Sequence, residues 1–540
     1  MPDYKNRIDC IRRYHQQTKH RFERYANGPQ TLDWSMQPNP FRRYEGADKI
    51  PLPLKAHESK IPYCDLYDTG KIAAQKFSID SIGLLLELSL GLSAWKEYQG
   101  ERWALRCNPS SGNLHPTEAY VITTGVIGLQ DGVYHYDSYN HALEQRCTFK
   151  IHDTDQPLLL LGLSSVLWRE AWKYGERAYR YCQLDVGHAI ASVRYACAVN
   201  GWSAQSADAV SDNFLSQLLG LNREADFNQA EPEHADVLLT INLPDSGQNV
   251  FNPKKLTVLS EEGQWFGHAN ILDRRHLYEW PIIDEVAQAT VSDIAFNVST
   301  RITENIPPPL PCPTKLLAHE IIQRRRSAQM YDGQTSMQAE QFYRMLDMVM
   351  PRPNLAPWDT LSWPSRIHLI LFVHRVSGLE PGLYILLRNP DALESVKSSM
   401  LDTLEWLPVD GAPQHLHFYR LVKANAQKAS ARLCCHQRIA SDSAFSLGML
   451  SEFDAALQTG PWAYKHLYWE AGMLGQVLYL EAEAIDLQGT GIGCFFDDPF
   501  HEMMGIKDSR FQSLYHFTVG GALNDGRLRT LMPYAHLKGD

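Results

Sequence analysis

Four short stretches of this 540-residue chain combine residue types suited to a polar, planar or anionic ligand. In Arg106-Cys-Asn-Pro109-Ser110-Ser111-Gly112-Asn113-Leu-His115, small hydroxyls, an amide and a glycine stand side by side, so backbone and amide groups can approach the edge of a flat molecule. Arg324-Arg325-Arg326-Ser327-Ala-Gln329 sets three guanidiniums beside a hydroxyl, donors that suit a phosphate or another anion. Gly489-Thr-Gly491-Ile492-Gly493 offers bare backbone to a flat ligand, and GGALNDGRLRTL carries Arg527 and Arg529 behind the last strand. A fifth feature is Lys173-Tyr174: a lysine desolvated beside an aromatic pocket can lose its proton and act as a base. Each feature alone has an ordinary structural account: a turn, a cationic helix end, a helix stop, a helix surface. His115 and His188 could contact a substrate, although a lone histidine is more often structural.

Other chemistries lack their marks. No Walker loop, Gly-x-Gly-x-x-Gly after a strand, His-Glu-x-x-His or Gly-x-Ser-x-Gly occurs. The ten cysteines include no Cys-x-x-Cys, and the single cluster, Cys434-Cys435-His436, is a poor metal cage, so no metal is expected. They read as reduced thiols of a cytoplasmic protein. A net charge of −11 argues against nucleic acid as a partner, and no apolar run is long enough to span a membrane.

The elements that must position these residues follow from periodicity. Residues 79–95 read as a buried helix, 118–125 and 132–137 as strands, 176–200 as a long helix and 235–243 as a closing strand. In the second half, helices are expected at 315–326 and 461–485, with strands at 367–374, 382–387 and 515–521. Residues 1–60 read as an N-terminal extended arm, 61–250 as a first domain, 251–313 as a linker or crossover arm containing IPPPLPCP, and 314–540 as a second domain.

The two halves repeat. Ala178-Tyr-Arg with Gly187 matches Ala463-Tyr-Lys with Gly472, 285 residues on, and the same shift carries Leu219-Gly-Leu onto Met504-Gly-Ile. Tyr44-Glu-Gly pairs with Tyr331-Asp-Gly, and Gly128…Gly132 with Gly378…Gly382. Such halves can pack as a fused dimer with two related crevices. The polar stretches are shared out unequally. Ser-Ser-Gly-Asn stands only in the first half, while the Arg-x-Ser segment, Gly491–Gly493 and the C-terminal arginines stand only in the second. Pro40, Asp208 and residues 355–366 occupy the opposite places.

RCNPSSGNLHPTEAYVI, WREAWKYGERAYRYCQLDVGHA, RRRSAQMYDG and GTGIGCFFDDPFHEMMGI, in this order and in duplicate, resemble the FMN-dependent nitroreductase superfamily, SagB-type (azoline oxidase) branch. The resemblance implies an α+β fold of two tandem domains, each a mostly antiparallel sheet flanked by helices, packed as a pseudo-dimer. It also implies one FMN in one composite crevice. Arg325, Ser327, Arg527 and Arg529 would hold the phosphate and ribityl chain, Pro109, Ser110, Ser111, Gly112 and Asn113 would line the ring, and Gly491, Ile492 and Gly493 would lie near its pyrimidine and N5. Gln329 replaces the family's usual basic residue, a charge that Arg106 or Arg326 could supply. Lys173 and Tyr174 would move a proton while hydride passes at N5. The implied activity is an FMN-dependent oxidoreductase dehydrogenating an azoline-like, small organic or peptide substrate. The alternatives are an NAD(P)H-dependent reductase of nitroaromatics or quinones, and a flavin-free peptide- or protein-binding module. A monomer with an internal pseudo-dimer and a homodimer both fit.

Overall fold

The structure, a computed structural model, describes residues 4–68, 70–149, 157–207, 210–243, 252–293 and 306–537. Each half is built on an antiparallel sheet of the same strand order. In the first half, strands Ala142–Thr148, Gly132–Asp137, Thr117–Thr124, Leu158–Ser165, His234–Asn242 and Ser203–Ser206 lie side by side. In the second half, His417–Lys423, Gly382–Leu387, Ile367–Val373, Phe445–Glu452, Phe511–Gly520 and Gln488–Ile492 repeat that order. The central strands Thr117–Thr124 and Ile367–Val373 are buried at every position, because helices cover the face that a sheet would otherwise turn to water. The fold is α+β, with two tandem halves of one strand order.

The repeat anchors recur in three dimensions. Gly220 and Gly505 each close a helix, Asp212–Leu219 and Asp497–Met504, in the left-handed conformation that glycine adopts without penalty. Gly128 and Gly378, and Gly46 and Gly333, share positive φ at matching turns.

Two long helices, Ala178–Val199 and Ala463–Glu483, form the seam between the halves. They carry apolar or internally bonded groups all round, and nearly every residue of both is buried. They touch at their glycines. A Cβ on Gly187 would lie 2.3 Å from the Trp469 carbonyl oxygen, and one on Gly472 would lie 2.2 Å from that of Leu184 and 2.9 Å from the Gly187 Cα. One cluster of buried side chains runs through both helices and both sheets.

Three expectations need correction. Residues 79–95 are not one helix: Ile79–Ser89 is helical, and after Gly91 the chain turns into strand Leu92–Tyr98. That strand pairs with Glu101–Arg106 and, on its other edge, with Arg529–Leu531 from the end of the second half. These pairings outweigh the apolar periodicity. The N-terminal segment is not wholly extended, since Tyr4–Gln17 is an α-helix whose Tyr14 Oη donates to the Glu176 carbonyl in the first half and whose Arg12 pairs with Asp454 in the second. The cysteines are not all reduced. Cys64 and Cys312 form a disulfide tying the Pro-rich connection to the first half beside the Pro62–Leu317 bridge, and the other eight are free. The segment joining the halves includes helices Pro253–Glu262 and Pro281–Ala289. Among the described residues no helix is long and apolar enough to cross a membrane. Asp208 lies outside the described residues.

In an exposed helix, Gly→Ala gains about 1 kcal/mol. Gly472→Ala is expected to do the opposite here, losing about 1–3 kcal/mol to overpacking against backbone. Its midpoint of chemical or thermal unfolding should fall, and a rise would show that the helices part freely.

Candidate functional site

The first crevice lies between the halves and has a cavity volume of about 540 Å³, in the range of roughly 300–1,000 Å³ usual for cofactor and ligand sites. Pro109, Ser110, Ser111, Gly112 and Asn113 line it from the first half, and Arg325, Arg326, Ser327, Gln329, Gly491, Ile492 and Gly493 line it from the second.

Asp185, on the first long helix, fixes the first-half loop. The Ser111 backbone N–H and hydroxyl both donate to its carboxylate at 3.1 Å. Burial pushes the Asp185 carboxyl up to about 7, against the hydrogen bonds from Ser110 and Ser111. The Asn113 amide donates to the Ala104 carbonyl, its oxygen meets His115 Nε2 at 2.9 Å, and the His115 N–H donates to Ser110 Oγ. Asn113 and His115 therefore brace the loop.

Lys173 and Tyr174 reach over this loop. A Cβ at Gly112, whose φ is 60°, would lie 2.6 Å from Tyr174 Oη and 3.0 Å from Lys173 Nζ. Tyr174 lines the crevice, and Trp34 of the N-terminal arm sits 5.3 Å from the Lys173 ammonium. Desolvation lowers the Lys173 pKa, with the nearby Glu170 opposing it. Glu170 is fully buried with neither carboxyl oxygen hydrogen-bonded, and burial raises its pKa well above the ordinary range.

The second half supplies the charge. Arg325 is buried, donates to the carbonyls of Cys107 (3.2 Å) and Arg106 (3.0 Å), and lies 5.1 Å over the Tyr479 ring. Arg326 donates to Ser93 and to its own helix end. Neither guanidinium forms an ion pair among the described residues. Burial lowers both pKa values, and burial with the Arg325 charge brings Arg326 to about 10, still cationic at neutral pH. Buried arginines are nearly always paired with an anion, so this donor set fits an anionic ligand such as a flavin phosphate or a reduced flavin ring.

Tyr479 ties the segments together. Its hydroxyl meets Ser327 Oγ at 2.8 Å and accepts the Gly491 N–H at 2.9 Å. The glycines of this strand serve packing. A Cβ on Gly491 would fall 1.7 Å from Tyr515 Oη, and one on Gly493 would fall 2.2 Å from the Tyr181 ring. His188 meets Tyr515 Oη at 3.2 Å and is held neutral, its pKa pushed down to about 3 by burial and by Arg325.

Arg527 and Arg529 are not brought into the crevice. Both are exposed at its outer edge, where Arg527 pairs with Asp525 at 2.7 Å and Arg529 with Glu97 at 3.7 Å, so local carboxylates hold them outside. Asp185, Tyr181, Tyr479 and Tyr515 line the crevice without having been singled out. For Asp185 a signal existed, because the 285-residue shift sets it against Glu470, another carboxylate inside a buried helix.

The opposite crevice is filled. Trp363, from residues 355–366, stacks on His466 at 3.9 Å with planes 11° apart, and Lys465 pairs with Asp212 across the gap. About 30 Å³ remains, room for roughly one water. Glu470 accepts the Arg366 N–H much as Asp185 accepts that of Ser111, and its other oxygen binds the buried Arg388.

No family model matches the chain. It is 27% identical over 123 residues to a protein named as a nitroreductase from Methanocaldococcus jannaschii, covering 21% of this chain and 62% of the relative. It is 26% identical over 164 residues to the trifolitoxin-processing protein TfxB of Rhizobium leguminosarum bv. trifolii, covering 27% of this chain and 44% of that one. The matches thus span less than two thirds of either curated relative. A crystal structure described as a nitroreductase from Anabaena variabilis superposes with a TM-score of 0.68 at 22% identity, over 95% of this chain and 99% of that one. The nitroreductase fold extends through both halves, and the partial sequence similarities reach one protein named as a nitroreductase and one named for trifolitoxin processing.

Asp185 gives a pH test. Its folded pKa is raised, so between about pH 4 and 7 the unfolded chain loses this proton while the folded chain keeps it, and stability falls as pH rises. Relative to Asp185→Asn, the parent should lose about 3 kcal/mol of unfolding free energy across that window and nothing further above it. Parallel pH profiles would show that Asp185 is ionised throughout.

Proposed function

We propose that the chain binds one FMN in the first crevice and works as an oxidoreductase, dehydrogenating a small organic or peptide-derived substrate. The observation that carries this reading is the buried Arg325 and the half-buried Arg326 beside it, neither guanidinium ion-paired among the described residues, facing a cavity of cofactor size. FMN supplies, when bound, an N5 position that accepts or returns hydride. Arg325 and Ser327 would hold its anionic chain. Arg326 offers the positive charge that Gln329 lacks, and residues 109–113 would give the ring a firm wall.

Lys173 and Tyr174 stand where a substrate over residues 110–113 would present its proton. The desolvated Lys173 side chain is suited to take that proton, with the Tyr174 hydroxyl oriented beside it. A peptide-derived substrate is favoured by the similarity to a protein named for trifolitoxin processing. The filled second crevice supports a stoichiometry of one.

The visible spectrum of the purified chain, with released flavin quantified, tests the reading. One FMN per chain is expected, two would mean that Trp363 yields its place, and none after soaking with FMN would favour a flavin-free binding protein. Hydrogen bonds to a charged group contribute about 1.5–3 kcal/mol, so Arg325→Met should weaken FMN binding by about 10- to 150-fold. By contrast, Lys173→Met and Tyr174→Phe should keep one FMN per chain while lowering kcat by about 10²–10⁴, the usual contribution of a positioned acid or base. Unchanged turnover in both would remove the pair from the chemistry. Rapid bleaching by NAD(P)H with turnover of quinones or nitroaromatics would instead favour the reductase reading.

A further inference from the structure

Beyond Gly493 the crevice wall continues into a thiol. Cys494 lines the cavity, and its Sγ lies 2.7 Å from that of Cys435. Non-bonded sulfurs normally stay farther apart than this, and a bond of about 2.05 Å would need only a small side-chain shift. Both residues are partly exposed, whereas five of the other six free thiols are buried. Cys435 and His436 take consecutive positive φ values of 51° and 60°, a strained turn of the kind found at functional sites. The strand end is clamped from both sides: Arg177 donates to the Gly493 carbonyl at 3.1 Å, and Gln437 donates to the Cys494 carbonyl at 3.1 Å. Hydrogen bonding from Cys435, with His20 and Arg177 close by, lowers the Cys494 pKa, whereas burial raises those of Cys107, Cys147, Cys182, Cys197 and Cys434.

We propose that Cys435 and Cys494 form a redox-active dithiol at the crevice, which exchanges two electrons with small-molecule disulfides. The Cys494 thiolate attacks one sulfur of R–S–S–R. The S–S bond of the substrate breaks, the other R–S group leaves as a thiolate and takes up a proton, and a mixed disulfide remains on Cys494. The Cys435 thiol gives up its proton and attacks Cys494 Sγ, breaking the mixed bond, and the second R–SH departs. The protein dithiol is oxidised by two electrons to an intramolecular disulfide, and one external disulfide is reduced to two thiols. The proposal is independent of the flavin reading, because its chemistry needs only the two thiols and the external disulfide. The oxidised pair would tether the wall after Gly493 to the turn at Cys435.

The test treats the full chain with glutathione disulfide at neutral pH, blocks remaining thiols by alkylation and maps peptides by mass spectrometry. A linked Cys435–Cys494 peptide that reverts on adding glutathione is expected, with Cys64–Cys312 as the internal reference. Cys435→Ser should trap a stable glutathione adduct on Cys494, and Cys494→Ser should give neither adduct nor linkage. A wild-type measurement covers the case in which a variant fails to fold: a pulse of iodoacetamide near neutrality should modify Cys494 at least about tenfold faster than the partly exposed Cys10. No linkage under the oxidising buffer, or equal rates for Cys494 and Cys10, would overturn the proposal.

Discussion

Gly187 and Gly472 set the distance between the two halves, and the crevice depends on that distance. Where the long helices cross, backbone meets backbone with no side chain between. The same helices carry Asp185 and Tyr479, which hold the crevice's two walls. Asp185 anchors the loop of residues 110–113, and Tyr479 joins Ser327 to Gly491. A wider seam would pull these anchors apart and open the site to water, so the packing of two glycines and the spacing of a binding site are one constraint.

The duplication sets up this arrangement twice, and one crevice is open while the other is filled. At the equivalent carboxylate positions, Asp185 receives a loop of small polar residues, while Glu470 receives a loop ending in Trp363-Pro-Ser-Arg366. The indole then stacks on His466, which stands where Tyr181 stands in the open crevice. Charge follows shape. In the closed crevice Arg388 meets Glu470, Arg194 meets Asp359 and Lys465 meets Asp212. In the open crevice Arg325 and Arg326 have no such partner among the described residues. One site is satisfied by the protein itself, and the other is left with cationic capacity for a ligand.

Much of this was legible in the residues. A constant 285-residue shift is hard to produce without a shared fold, and it pairs Gly187 with Gly472 and Gly220 with Gly505, while their roles at the helix crossing and the helix ends emerge only in three dimensions. The unequal distribution of Ser-Ser-Gly-Asn and Arg-Arg-Ser pointed to one crevice, and that crevice is the open one of the two. Tertiary partners hid the rest. Residues 92–95 continue the apolar run of the expected helix, yet begin strand Leu92–Tyr98, because the chain's last strand, from the other half, completes their sheet. Arg527 and Arg529 have the right charge, but Asp525 and Glu97 neutralise it on the surface, and neither pairing follows from the spacing of a family motif. The glycines of 489–493 suggested room for a ligand, whereas their missing side chains make room for Tyr515 and Tyr181.

The electrostatics of the open crevice are then set by burial more than by sequence charge. The chain as a whole is acidic, with a net charge of −11, and Asp185 and Glu170 lie at or beside the site. Yet burial raises the Glu170 pKa well above the usual carboxylate range and leaves Asp185 only partly ionised near neutrality, while His115 and His188 are held neutral by burial and by the nearby arginines. Arg325 and Arg326 keep their protons, because even a strong desolvation cost leaves a guanidinium basic. Burial opposes both kinds of charge, and only the high intrinsic basicity of the guanidiniums keeps the cations while the carboxylates lose theirs. A cavity inside an anionic protein thus gains unpaired cationic donors, the electrostatic condition that an anionic ligand requires.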